Sequence, residues 1–295
     1  MDSHSIRSAG MTARLSASGA ELISLQHVVG GELLWQAGPE WPRHAPVLFP
    51  IVGRLANDTL HHGGADFRLT QHGFARDSRF DWVERAEDRA VLRLVDSPDS
   101  RTLYPFAFVL DLIYAVEGET LSVTTRITNP GDDVLPCGVG AHPGFRWPLL
   151  DDATKQQHRL EFGATEVGSA LSVEGGLLGP AKPLPFDGRI LDLSPELFAR
   201  DALVLPDVAS RALRYVATDA QGHERASLAF AWDGFRDLGL WSAPKGAPFL
   251  CVEPWFSMAS PVGWDGDFVD KPGILLLGPG ETRDFVWQVS AAFPG

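Results

Sequence analysis

The sequence predicts an all-β protein built as one large antiparallel β-sandwich. Two observations support this class. Apolar and polar residues come close to strict alternation in several segments, for example residues 121–127 and 284–289, as expected for half-buried strands. Helical signals are almost absent: one short segment, residues 194–198, has Ser194 as a candidate N-cap and Pro195 at the first helical position.

Strand segments follow one another along the whole chain. They include residues 20–28, 91–95, 121–127 and 284–289, and turn signals separate such segments at residues 29–32, 117–119, 129–132, 219–222 and 278–280. Neither crossover helices nor an internal repeat nor a long polar linker interrupts the pattern, so residues 1–295 are predicted to form a single domain. The Gly- and Pro-rich segment 148–185 is expected to run as an irregular excursion over one edge of the sandwich.

Composition excludes several classes of function. A net charge of -13 disfavours nucleic acid and anionic membranes as partners. There is no apolar run near the ~18 residues of a membrane span and no signal-peptide pattern, so a cytoplasmic protein is expected. Cys137 and Cys251 both lie in apolar segments and are predicted to be buried reduced thiols.

The sequence also lacks the signatures of cofactor and metal enzymes. We find no nucleophile elbow, Walker loop or Rossmann glycine fingerprint. Zinc sites favour spaced histidines, whereas His61 and His62 are adjacent and would point to opposite faces of a strand or form a turn. We therefore expect cofactor-free chemistry and no metal.

Two ionisable residues stand out because each ends an apolar run and is followed at once by proline. They are His142, in GVGAHPGF at residues 138–145, and Glu253, in FLCVEPW at residues 249–255. Proline marks a strand end or edge, and an imidazole with a carboxylate makes an acid and base pair near neutral pH. The alternative for either residue alone is a satisfied structural role. Cys251 is predicted to share the strand face of Glu253 and to lie beneath it.

Two arginines form a second group of candidates. Arg54 follows a glycine and Arg76 follows an alanine, and a guanidinium can hold an oxygen-rich ligand through several directed hydrogen bonds. The alternative is that one of them pairs with a neighbouring carboxylate such as Asp66 or Asp77.

Four segments together resemble the aldose 1-epimerase (galactose mutarotase-like) superfamily, and in particular its bacterial LacX-like branch. They are LFPIVGR at 48–54, QHGFAR at 71–76, GAHPGF at 140–145 and CVEPW at 251–255. The resemblance extends from about residue 19 to about residue 289.

The resemblance implies a β-supersandwich that interconverts the α and β anomers of an aldose without a cofactor. Glu253 would be the general base that takes the anomeric proton, and His142 the general acid that protonates the ring oxygen. His72 and Arg54 match positions that bind the sugar hydroxyls or assist at the ring oxygen. Asp201 matches a sugar-binding aspartate through a looser motif.

Substrate identity is the open question at this stage. The best-known galactose mutarotases carry an Asn-Arg pair and a His-Leu-His-Gly-Gly segment, whereas this chain has the His-Gly-Phe-Ala-Arg form that also occurs in the hexose-6-phosphate mutarotase branch. We rank neutral aldoses ahead of hexose 6-phosphates as the substrate. Arg54 and Arg76 would favour the phosphates, because arginine binds phosphate well. Trp255, with Phe74 and Phe145, offers apolar faces for a sugar.

Other expectations concern partners and competing functions. A small-molecule sugar is the expected partner, and the protein is expected to be a monomer or homodimer. The main alternative function is a non-catalytic carbohydrate-binding sandwich, and a weaker one is a scaffold without a ligand.

Overall fold

A computed structural model describes residues 2–293, which form 25 strands, one short α-helix and five 3₁₀ helices. The strands are β1 (Ser3–Arg7), β2 (Met11–Ser16), β3 (Leu22–His27), β4 (Gly31–Glu32), β5 (Val47–Leu48), β6 (Thr59–His62), β7 (Ala65–Arg68), β8 (Asp81–Arg85), β9 (Arg89–Val95), β10 (Val109–Glu117), β11 (Thr120–Thr128), β12 (Leu135–Cys137), β13 (Val139–Ala141), β14 (Gly144–Arg146), β15 (His158–Glu166), β16 (Ser169–Glu174), β17 (Leu177–Pro183), β18 (Gly188–Asp192), β19 (Leu203–Leu205), β20 (Ala212–Thr218), β21 (Glu224–Asp233), β22 (Asp237–Trp241), β23 (Phe249–Phe256), β24 (Leu275–Leu277) and β25 (Thr282–Ala292). The α-helix is α1 (Pro98–Arg101), and the 3₁₀ helices are Ala56–Asp58, Ala75–Asp77, Lys155–Gln157, Pro195–Phe198 and Phe268–Asp270.

Two large antiparallel sheets dominate the architecture. The first has nine strands in the order β18-β15-β20-β21-β25-β11-β10-β9-β8. The second has eight strands. Seven lie in the spatial order β17-β16-β19-β22-β23-β13-β5, and the eighth, β14, pairs with β23. The β1–β4 strands form a smaller sheet, and two strand pairs complete the fold. The predicted all-β antiparallel sandwich is therefore confirmed.

The main hydrophobic core lies between the two large sheets. Strands β11 and β25 of the first sheet alternate buried and more exposed residues, as the period-two pattern predicts. Val123 and Phe285 from this sheet join one cluster with Leu250 and Val252 from β23 of the second. The alternate side chains of β23, including Cys251, Glu253 and Trp255, must then point away from this core, because successive side chains on a strand face opposite sides.

The segment 148–185 corrects one expectation. It contains three regular strands, β15, β16 and β17, instead of an irregular excursion. Gly175 and Gly176, both at positive φ, make the tight turn between β16 and β17, and Pro180 is tolerated because β17 is an edge strand. The predicted edge position holds for β16 and β17 in the second sheet, whereas β15 lies inside the first sheet between β18 and β20.

The short helical segment lies where the sequence predicts it, but it is not an α-helix. Pro195–Phe198 is a 3₁₀ helix, and the Ser194 side chain accepts no capping hydrogen bond there. Among residues 2–293, no helix is long and apolar enough to span a membrane.

Candidate active site

A cleft lies on the outer face of the second sheet, with β23 as part of its floor. Leu250 and Val252 face the core, so Cys251, Glu253 and Trp255 occupy the opposite face of the strand. The cleft encloses about 310 Å³, which suits a small polar molecule. Six of the seven residues predicted from the sequence line it: His72, Arg76, His142, Asp201, Glu253 and Trp255.

Backbone pairing brings the four sequence motifs together. Gly140 of β13 pairs with Leu48 of β5 on one side and with Trp255 of β23 on the other. Gly53 and His72 are joined twice, since the His72 amide donates to the Gly53 carbonyl at 2.8 Å and the Gly53 amide donates to His72 Nδ1 at 3.2 Å. Segments as far apart in the chain as Leu48 and Trp255 thus meet at one site.

His142 and Glu253 form the centre of the cleft. His142 Nε2 lies 3.3 Å from Glu253 Oε2, and both residues are buried. Burial, reinforced by Arg76 and Arg43, lowers the pKa of His142 to about 3. Burial also raises the pKa of Glu253 well above its usual value, and the Asp201 charge adds to this rise. The pair therefore favours uncharged groups: the imidazole keeps its one ring N–H, and the proton that the two residues can share lies on Glu253.

Two tryptophans hold the His142 ring in place. Trp41 stacks on the imidazole at 5.0 Å between ring centroids with an interplanar angle of 29°, and Trp241 meets it edge-on at 5.6 Å and 83°. Both tryptophans also line the cleft. Our sequence reasoning missed both: Trp41 precedes a proline in a loop, and Trp241 ends an apolar strand, so neither belongs to a recognisable motif.

Trp255 is held between two strands that carry glycine beside it. A Cβ atom at Gly140 would lie 2.5 Å from Trp255 Cδ1, and one at Gly239 of β22 would overlap the six-membered ring of the indole. Glycine at these positions therefore leaves the space that the Trp255 ring occupies. Sequence reasoning missed Gly239 as a position that shapes the place of Trp255.

His72 is fixed in one tautomer. Because the Gly53 amide donates to Nδ1, the neutral ring carries its proton on Nε2 and can donate there to a ligand oxygen. Burial lowers its pKa well below the usual value, which keeps the ring neutral. The residue has φ +66°, an uncommon conformation for a non-glycine residue that is frequent at functional sites.

Arg76 reaches the cleft from the 3₁₀ helix Ala75–Asp77. Its Nη2 donates to the Gln71 carbonyl at 2.7 Å, and its Nε lies 3.7 Å from Asp77. Asp77 also accepts a 2.8 Å hydrogen bond from Arg43. Burial, together with Arg43, lowers the pKa of Arg76, although an arginine remains charged at neutral pH.

Arg54 differs from the expectation drawn from the resemblance. Its Nε donates to Asp58 at 2.7 Å and its Nη1 to the Gly175 carbonyl at 3.3 Å. It stands at the rim, against Gly176, and is not among the lining residues of the cleft within residues 2–293. The predicted pairing with a neighbouring carboxylate is seen for both arginines: Arg76 lies 3.7 Å from Asp77, as named, whereas Arg54 pairs with Asp58 and not with Asp66.

Of the three aromatic residues expected to face the sugar, Trp255 lines the cleft, whereas Phe74 and Phe145 do not. Phe145 is fully buried and packs edge-on against Phe230, and Phe74 packs among Phe49 and Phe108. Both belong to the core, because their side chains face the interior of the sandwich. The aromatic walls of the cleft come from Trp41, Trp241 and Trp255.

Several buried polar atoms in the cleft have no well-formed hydrogen bond. Within the described part of the chain they include His142 Nδ1, Arg76 Nε, Trp255 Nε1 and Glu253 Oε2. Buried polar groups are normally satisfied, and exceptions that converge on one cavity point to a ligand that satisfies them. The donors and the acceptor together suit a molecule rich in hydroxyl groups.

Comparison with known proteins agrees with this geometry. The family model for aldose 1-epimerase matches residues 2–257. The chromosomal LacX protein of Lactococcus lactis subsp. lactis is 30% identical over 291 residues, covering 95% of this chain and 96% of that protein.

Solved structures give the same result. The galactose mutarotase related enzyme of Lactobacillus acidophilus superposes with a TM-score of 0.90 at 28% identity, covering 98% of this chain and 97% of that one. A galactose mutarotase-like protein from Lactobacillus casei ATCC 334 also gives 0.90, at 25% identity, with 98% and 100% coverage. The chain belongs to the aldose 1-epimerase family.

Proposed function

We propose that the protein is a mutarotase that interconverts the α and β anomers of a neutral hexose. The observation that carries this proposal is the buried contact of 3.3 Å between His142 and Glu253 in a cleft of sugar size. Mutarotation needs only two groups that exchange protons with oxygens on one carbon, and each such group contributes about 10²–10⁴-fold. The pair supplies both groups without a cofactor.

In the proposed reaction, the pair uses one proton. With that proton on His142, the Glu253 carboxylate accepts the proton of the anomeric hydroxyl, and His142 protonates the ring oxygen. The C1–O5 bond breaks as the C1 carbonyl forms. After rotation about C1–C2, the hydroxyl at C5 attacks the other face of the carbonyl, and both proton transfers run in reverse. Since burial favours the shared proton on Glu253, the proposed reaction starts with its transfer to His142 as the sugar binds.

Other groups would orient the sugar. The neutral His72 donates from Nε2, Arg76 offers its Nε, which makes no hydrogen bond within the described residues, and Asp201 offers a carboxylate oxygen. Trp255 supplies an apolar face for the C–H side of the ring. The Arg54 guanidinium is bound to Asp58, so this residue would shape the rim of the cleft without contacting the sugar.

The charge balance favours a neutral sugar over a sugar phosphate. Arg43 and Arg76 contribute two positive charges, and Asp77 and Asp201 two negative ones, so these groups cancel while Glu253 is protonated. Asp77 also lies against both arginines, at 2.8 Å and 3.7 Å. A phosphate, which gains most from free bidentate arginines, would have to displace it.

The test follows the optical rotation of freshly dissolved α-D-glucose, α-D-galactose and α-D-glucose 6-phosphate, with the protein and with Arg76→Ala. We expect faster mutarotation of a neutral hexose, with a higher KM in Arg76→Ala. Arg54→Ala serves as the matched control, and its KM is expected to change less than about threefold because its partner is Asp58.

Each other outcome has a clear meaning. A hundredfold preference for the phosphate that collapses in Arg76→Ala would make the protein a hexose-6-phosphate mutarotase. Sugar binding without acceleration of any anomer would leave a carbohydrate-binding protein and refute the proposal.

A further inference from the structure

Cys251 lies next to the proton-transfer pair and has no place in the proposed reaction. Its thiol is fully buried on the same face of β23 as Glu253. Ligand atoms of His142, Cys251 and Glu253 all lie within 4.8 Å of one another. A soft sulfur, an imidazole nitrogen and a carboxylate oxygen therefore converge at the floor of the cleft.

We propose that His142, Cys251 and Glu253 form a binding site for a thiophilic divalent cation of the Zn²⁺ or Cd²⁺ class, and that its occupation blocks the cleft. Three protein ligands with one open position toward solvent is the usual composition of an accessible zinc site. Here the open position is the cleft itself. The inhibition of catalysis rests on the proposed function, whereas the binding of the metal does not.

The geometry is close to what such an ion requires. Zn–N and Zn–O bonds of about 2.0–2.1 Å at a tetrahedral angle place nitrogen and oxygen about 3.3 Å apart. His142 Nε2 and Glu253 Oε2 are already 3.3 Å apart. A Zn–S bond of about 2.3 Å requires the sulfur to lie about 3.6 Å from the other two ligand atoms. The three atoms lie within 4.8 Å of one another, so each sulfur–ligand distance has to shorten by about 1.2 Å at most.

The ligand set and its surroundings select the class of metal. Thiolate and imidazole ligands favour Zn²⁺ and Cd²⁺ over Mg²⁺ and Ca²⁺, which prefer oxygen. Trp41 and Trp241 fix the His142 ring and pack with Cys251. A divalent cation between the Cys251 thiolate and the Glu253 carboxylate would make a site with no net charge, which suits its buried position. The Cys251 thiol and the Glu253 carboxyl lose their protons to the buffer as the ion binds.

A metal ion bound at this site would inhibit catalysis directly. The ion would take the lone pair of His142 and that of Glu253, the same two groups that exchange protons with the sugar. Metal and sugar should therefore compete for the cleft.

The binding test uses Cd²⁺, because a Cd–thiolate bond gives an ultraviolet charge-transfer band. In Cys137→Ser, Cys251 is the one remaining cysteine of the two in the chain, so a band there assigns the sulfur without changing the site. We expect one Cd²⁺ per chain in wild type and in Cys137→Ser, with the same Kd. Cys251→Ser should lose the band, weaken Zn²⁺ binding in calorimetry at least tenfold, and raise the inhibitory Zn²⁺ concentration by a similar factor.

Two results would overturn the proposal. One is the absence of a stoichiometric Cd–thiolate band in Cys137→Ser. This result does not depend on a variant of the proposed site, because Cys137 is not one of its ligands. The other is equal Zn²⁺ affinity in wild type and Cys251→Ser. If the protein binds the metal but moves no anomer, the metal site stands and the proposed function fails.

Discussion

At the scale of single residues, the unusual feature is that a histidine and a glutamate in contact are both held uncharged. An exposed imidazole titrates near pH ~6.5 and an exposed carboxyl near ~4.3. Burial moves the pKa of His142 down to about 3 and that of Glu253 well above 4.5. Since the two groups are in contact, the two steps belong to the pair and not to either residue.

The pH dependence of kcat/KM follows from this arrangement. The pair keeps its single proton between the two steps, so activity should fall in acid only as pH approaches about 3, where the second proton binds. On the alkaline side, activity falls once the pair loses its proton, at a pH set by the raised pKa of Glu253. A stopped-flow rate profile checks this, and an acid limb near pH ~6.5 would show an ordinary imidazole at the site and contradict the account.

At the scale of elements, the site depends on how closely three strands approach one another. Gly140 of β13 and Gly239 of β22 leave room for Trp255 of β23. Gly239→Ala should push the indole out of its place, since the new methyl group would overlap the ring. We expect KM for the sugar to rise about tenfold, with altered tryptophan fluorescence. An unchanged KM in a folded Gly239→Ala protein would show that Trp255 has no part in binding.

The elements also show what the sequence can and cannot predict. Strands β11 and β25 follow from alternation, because that signal is local. The simultaneous pairing of Gly140 with Leu48 and Trp255 is not local, and only the resemblance suggested that these motifs meet. Composition also misled us at 148–185, where glycines and prolines serve a hairpin and an edge strand.

The same distinction applies to the candidate site. His142 and Glu253 were recognisable because each ends an apolar run before a proline and belongs to a motif. Trp41 and Trp241 were not, because their role comes from packing on His142 across the fold. Arg54 was placed in the cleft by its motif, whereas local pairing with Asp58 turns its guanidinium away.

At the scale of the whole molecule, buried neutral histidines couple stability to pH. His158 Nδ1 donates to the Thr154 carbonyl at 2.9 Å, and its Nε2 accepts from the Leu149 amide at 3.0 Å. Burial lowers its pKa to about 4, below the unfolded value near ~6.5. The unfolded chain therefore binds this proton first, and stability present above pH ~6.5 is lost as the pH falls toward 4.

This loss is measurable by thermal unfolding. For His158 alone it amounts to roughly 3 kcal/mol if the whole shift is expressed. His158→Gln should be less stable than wild type at neutral pH but lose less stability on acidification. His223→Gln is the control, since the His223 side chain is 79% exposed. An identical acid loss in wild type and His158→Gln would remove His158 from this role.

The central claim is that Glu253, in contact with His142, moves the proton of the anomeric hydroxyl. The most direct measurement is the rate of exchange between α and β anomeric protons at equilibrium, by NMR saturation transfer, in wild type and Glu253→Gln. An amide of nearly the same shape cannot accept that proton, so the account predicts a fall in the catalysed rate of about 10²–10⁴-fold with an unchanged melting temperature within a few degrees and retained sugar binding. A folded Glu253→Gln protein that keeps more than about a tenth of the wild-type exchange rate would contradict it.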